Sequence, residues 1–174
     1  GAKVLQWRVP SAQGLFVDVC LGYQSLQEVL SGAPSMGAFI ARYAGRIGQS
    51  CYELQGRSWT LPANDGAHCL HGGPMGSRHR VFQVLAHDRD RLVLGLRLSN
   101  ALDGHPGEVD LKVSYRWSDQ GGLLIEHMVT WVSGPASPIS CTPHLFFKLN
   151  DDPTIDDHTL WVDGAALLVL DGQR

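Results

Sequence analysis

The sequence has no apolar run approaching the roughly 18–20 residues that span a bilayer, so it offers no membrane helix. It has no C-x-x-C pair. Cys20, Cys51, Cys69 and Cys141 stand far apart, which argues for a reducing compartment rather than a disulfide frame. It has little excess charge: 14 Lys and Arg against 17 Asp and Glu give −3, and the basic residues form no run. Nucleic acid and anionic membrane surfaces are therefore poor candidates as partners. The opening residues "GAKVLQWRVP" lack the charged n-region and apolar h-region of a signal peptide, and a cytoplasmic location is expected. No long segment of 3.6-residue period exists to supply the crossover helices of a parallel sheet. Internal repeats, low-complexity tracts and linkers are also missing. At 174 residues, one domain over 1–174 is the expectation.

What is present has a period of two. Leu92, Leu94, Leu96 and Leu98 alternate, as do Val109, Leu111, Val113, Tyr115 and Trp117. Leu123, Ile125, His127, Val129 and Trp131 share one face of a further run. Such alternation reads as half-buried antiparallel strands. "SDQGG" at 118–122 joins the last two, and "CYELQGRSWTL" reads as a hairpin turning at Gln55-Gly56. "SRHRVFQVL" runs into another strand. One short helix is expected over "SLQEVLSG", with Ser25 and Glu28 at capping-box spacing and Gly32 as its stop. The fold class is all-β, an antiparallel β-sandwich.

The stretch "DGAHCLHGGPMG" at 65–76 combines histidines with a sharp glycine-rich turn. His68, Cys69, His71 and His79 cluster in sequence, but the second ligand pair that zinc sites usually show is missing, so no metal is expected. A phosphate-binding loop would need a lysine and a following helix, and a strand follows instead. In "SCTPHLFFKLN", His144 precedes two phenylalanines. It reads either as a core histidine or as an imidazole tuned by aromatic walls for proton transfer near neutral pH. His127, on an apolar strand face, reads as a satisfied core histidine. "NALDGHPGEVD" reads as an ordinary loop.

Several of these stretches resemble, in order, segments of the aldose 1-epimerase (galactose mutarotase) family. "MGAFIARYAGRIGQSCYELQGRSWTLPANDGAHCLHGG" is similar to its long signature, with G-R-Y-A-N-R-I, a hairpin, an Asn–Gly loop and L-H-G-G. "DGHPGEVDLKVSYRW" is similar to its D-G-x-x-G-Y-P-G segment and following strand. "TPHLFFKLN" resembles T-P-x-x-H-x-Y-F-N-L, and "VDVCLGYQSLQEVL" fits the segment before the signature. The resemblance implies a β-supersandwich and a cofactor-free isomerase that interconverts the α and β anomers of free hexoses. It implies His144 as the general acid at the ring oxygen and His71 as a hydrogen-bonding histidine beside it. Arg46 would grip sugar hydroxyls, and Gly45 and Phe146 would complete the sugar-binding set.

The sequence departs from the pattern at several positions. Gly45 stands where the family has asparagine, Phe146 where it has tyrosine, Lys148 where it has asparagine and Ala41 where it has glycine, and "DGHPGE" is short. The family's base, a glutamate, and a sugar-binding aspartate lie downstream of the matched segments. The chain is accordingly expected to be an internal fragment, incomplete at both ends and inactive alone. The glycines after His71 are expected to let a sugar ring approach the backbone. Two alternatives stand beside this reading. One is a hexose-6-phosphate epimerase, with Arg78 and Arg80 as phosphate ligands. The other is a non-catalytic sugar-binding relative.

Overall fold

A computed structural model describes residues 1–33, 35–150, 152 and 154–164. The fold is all-β and antiparallel, as the alternation predicts. Its main sheet holds four strands in the order β11-β10-β9-β8. These are β8 (Gln83–His87), β9 (Arg91–Leu98), β10 (Glu108–Trp117) and β11 (Leu123–Ser133). Around it lie four two-stranded ribbons. They pair β1 (Arg8–Pro10) with β2 (Phe16–Asp18), β3 (Phe39–Ile40) with β12 (Thr142–Pro143), β4 (Arg46–Ile47) with β7 (Cys69–Leu70), and β5 (Cys51–Leu54) with β6 (Arg57–Thr60).

The core follows from the period of two. Val109, Leu111 and Val113 point to one face of β10 and pack with Leu98, Phe39 and Ala41, all buried. Ile125 and Val129 of β11 lean on the same cluster. His127, between them, differs from expectation. It is exposed, touching only the Phe39 ring among aromatic side chains, at 5.4 Å between centroids.

The turns form where the chemistry requires. Gln55 and Gly56 both have positive φ, 53° and 71°, as a tight two-residue hairpin turn demands. In the 118–122 loop the Ser118 hydroxyl accepts from the Gly122 N–H at 2.9 Å. Helix α1 (Leu26–Ser31) is capped by Ser25, whose hydroxyl accepts from Glu28 N–H at 3.2 Å. Glu28 reaches back one residue beyond the cap, to the Gln24 N–H at 2.8 Å. Gly32 ends the helix for a steric reason, since its φ is −87° and a Cβ there would lie 2.4 Å from the Tyr23 ring.

The segment expected as an ordinary loop is the main surprise. It forms a four-residue helix, α2 (Asn100–Asp103), followed by a fully buried His105. Asp103 meets the Nε of Arg42 at 3.2 Å, both side chains excluded from solvent. The Arg42 guanidinium also donates to the carbonyl of Pro106 at 2.6 Å, to that of Gly107 at 3.2 Å and to the Ser137 hydroxyl at 3.0 Å. One cation therefore fastens the 103–107 and 137 loops to the segment that leads into β4.

Candidate functional site

The site is built on two ribbons. β12 pairs with β3, and the pairing continues past the ribbon: His144 N–H donates to the Ala38 carbonyl at 2.8 Å, and Gly37 N–H donates to the His144 carbonyl at 2.9 Å. β7 pairs with β4, which sets Arg46 opposite Leu70. The chain then turns through His71, Gly72 and Gly73, all left-handed at φ 54°, 77° and 81°. A histidine in this region carries backbone strain of about 1–2 kcal/mol, of the kind that clusters at functional sites.

Two bonds to Gly45 hold His71 there. Its N–H donates to the Gly45 carbonyl at 3.0 Å, and its Nδ1 accepts from the Gly45 N–H at 3.1 Å. With Nδ1 used as an acceptor, the neutral ring carries its proton on Nε2. The ring meets His144 edge-on, with centroids 5.0 Å apart. His144 in turn stacks on Phe146 at 5.3 Å. Burial pushes the His71 imidazole down to about 4, helped by the charges of His144, Arg78 and Arg46 against the opposing pull of Asp65. His71 is therefore a neutral hydrogen-bond donor over the physiological range.

Arg46 lies beside this pair on the exposed rim. Its Nε donates to Asp65 Oδ2 at 2.6 Å, the two side chains being 55% and 38% exposed. The structure thus brings His71, His144, Gly45 and Phe146 together, with Arg46 adjacent in the chain and in charge. None of these side chains lines the cleft of about 320 Å³ between residues 2–7 and the ends of β9 and β10, or that of about 730 Å³ beside α1. The pair lies outside both concavities, with His71 and His144 half-buried.

The glycines after His71 have a packing task. Gly72, Gly73 and Gly76 are buried, and a Cβ on Gly72 or Gly76 would stand 2.8 Å from the Ala41 carbonyl oxygen or 2.7 Å from that of His71. The close approach is to the protein's own backbone, which presses the loop against β3. Gly45 has φ 87°, yet open space where its Cβ would be.

His68 and His79 serve locally. His68 Nδ1 accepts from Gln49 N–H at 3.1 Å, and His79 Nε2 accepts from Arg78 at 3.0 Å. Cys69 is buried under Gly73. Among the described residues, no group of three or more His, Cys, Asp or Glu side chains converges to hold a metal ion. All four cysteines are free thiols, and among the described residues no helix is long and apolar enough to cross a membrane.

Sequence reasoning missed three residues. Asp65 could have been suspected from its loop, where Asn64 clamps Leu70 with both amide atoms, at 2.7 and 3.0 Å. Arg42 and Asp103 carried no signal, because charged residues are rarely fully buried.

The fold defines the class first: an all-β protein of the aldose-epimerase type. The crystal structure of an aldose epimerase homologue from C. elegans superposes with a TM-score of 0.83 at 30% identity, over 88% of this chain and 47% of that one. The chain belongs to the aldose 1-epimerase family, whose model matches residues 1–173. The aldose 1-epimerase of Escherichia coli (strain K12) is 31% identical over 172 residues, covering 98% of this chain and 49% of its own. The galactose mutarotase of Sus scrofa is 30% identical over 177 residues, with the same shares. The chain spans about half the length of the curated relatives it matches.

Proposed function

We propose that this chain carries the acid-donating and sugar-gripping part of an aldose 1-epimerase site for neutral hexoses such as galactose and glucose, acting in the cytoplasm without a cofactor. The observation that carries the reading is the His71–His144 pair, edge-on at 5.0 Å, beside Arg46. Opening a pyranose requires a base to take the anomeric O–H proton while an acid supplies one to the ring oxygen. The C1–O5 bond breaks and the aldehyde forms. Rotation about C1–C2 and reversal of both transfers close the other anomer. His144, stacked on Phe146, is the acid in this scheme. His71 donates from Nε2 to the oxygen that gains charge, and its lowered pKa keeps it from competing for the same proton. Arg46 supplies a fork of donors to adjacent hydroxyls. The resemblance assigns the base to a glutamate outside the matched segments.

The 174 residues should therefore bind galactose without accelerating its mutarotation. Imidazole NMR signals of His71 and His144 should shift saturably with galactose while polarimetry matches buffer. Unmoved imidazoles would sink the reading, and near-enzymatic rates would place the base inside this chain. Where a base is supplied together with these residues, His144→Asn should lower turnover about 10²–10⁴-fold with affinity little changed.

A second reading, a sugar-binding relative that performs no chemistry, draws on Phe146 lacking a hydroxyl. It is distinguished by retained binding with no turnover even when the base is present. A hexose 6-phosphate substrate would bring Arg78 and Arg80 into play; Arg78 is already bonded to Ser35 and His79, at 3.2 and 3.0 Å.

A further inference from the structure

We propose that Asp65 is a specificity-determining positioning residue. It aims the Arg46 guanidinium and cancels its charge, so that the site favours neutral sugars over anionic ones. The inference rests on the reading of Arg46 as the sugar-gripping group. The geometry of the pair leaves the outer edge of the guanidinium open. Asp65 takes Nε rather than the two Nη groups, at 2.6 Å. Both Nη groups are left without a protein partner among the described residues, on a side chain 55% exposed. A carboxylate that bonded the outer edge would block the fork. One that bonds Nε fixes the plane of the guanidinium and leaves the fork open.

The aspartate is itself held rigidly. Asp65 N–H donates to the His68 carbonyl at 3.1 Å, and His68 N–H returns the bond to Asp65 at 3.0 Å. Two residues on, the Asn64 clamp at Leu70 fixes the approach to His71. Asp65, Arg46 and His71 are thus parts of one frame, because β4 and β7 pair Arg46 directly with Leu70.

The consequence for recognition is electrostatic. A lone arginine attracts carboxylates and phosphates, and such an anion takes the fork bidentately. An arginine already paired offers donors without net charge. A sugar hydroxyl is satisfied by that arrangement, whereas an anion meets the Asp65 charge at short range. Discrimination of this kind comes from a repulsive element as much as an attractive one.

The experiment measures the binding of galactose and of galacturonate, the same ring with a carboxylate at C6, at two ionic strengths. In the unaltered chain galactose should bind better. Asp65→Asn keeps an acceptor near Nε but removes the charge. It should leave galactose affinity within about twofold and raise galacturonate affinity roughly three- to tenfold, less at high salt. Asp65→Ala should raise galacturonate similarly but weaken galactose, because the fork is no longer aimed. Arg46→Gln should abolish the gain in the double variant. An unchanged galacturonate-to-galactose ratio in both Asp65 variants overturns the proposal while leaving the sugar site intact. Failure of the unaltered chain to bind either sugar overturns the site reading and the proposal with it.

Discussion

At the scale of the residue, burial depresses the basicity of His79, and more strongly that of His71 and His105. The last two are pushed from 6.5 to about 4, chiefly by burial; His105 also feels Arg42. In the unfolded chain both take up protons near the ordinary value. As pH falls from about 6.5 toward 4, the unfolded state therefore binds more protons than the folded one, and stability is lost across that window. His105→Gln should make the plot of unfolding free energy against pH shallower between those limits, measured by urea melts. An identical slope would show that His105 is not held neutral. At this scale the sequence announced His71 and His144, because short motifs place them beside turn-forming and aromatic residues. It did not announce His105, whose importance comes from a burial that only tertiary contacts create. Both ring nitrogens of His105 are without a partner among the described residues, and the ring stacks on Tyr52 at 6.2 Å.

At the scale of the element, the long strands were legible because alternation over many residues has one meaning. β10 and β11 fall within two residues of the expected limits. The ribbons that carry the site were harder. β3, β4, β7 and β12 are two residues each, too short for any period, and they exist because neighbours pair with them. Glycine makes the same point in steric terms. Gly56 and Gly72 have similar φ, 71° and 77°, but a Cβ meets nothing within 4 Å at Gly56 and the Ala41 oxygen at 2.8 Å at Gly72. Gly56→Ala should cost about 1 kcal/mol of backbone strain. Gly72→Ala should cost more, roughly 2–4 kcal/mol, since backbone must also move. Equal losses in thermal melts would mean that the loop is not pressed against β3. The buried Arg42–Asp103 pair belongs here too. It does for the α2 loop what a hydrophobic contact does elsewhere, and no pattern of apolar residues could have revealed it.

At the scale of the molecule, the apolar surface is divided unevenly. The buried cluster around Phe39 is small. Met128 and Trp131 on β11 are 62% and 63% exposed, and Leu26 and Leu30 on α1 are 73% and 72% exposed. β11 pairs only with β10, so its outer edge meets no other strand among the described residues. An edge of this length, left open among the described residues, is a template for pairing with another chain. The chain should therefore associate reversibly in sedimentation experiments, and Met128→Lys should shift it toward monomer by charging the strand. A monomer at all concentrations before the change would refute this. The open edge, about 37 Å long at 3.4 Å per residue over 11 residues, also bears on what stability means here. A surface that binds another copy draws folded chains out of the folding equilibrium by mass action. The melting temperature of this chain then ceases to be a constant of the sequence. It becomes a function of how much protein is in the tube, and it should rise with the logarithm of that amount.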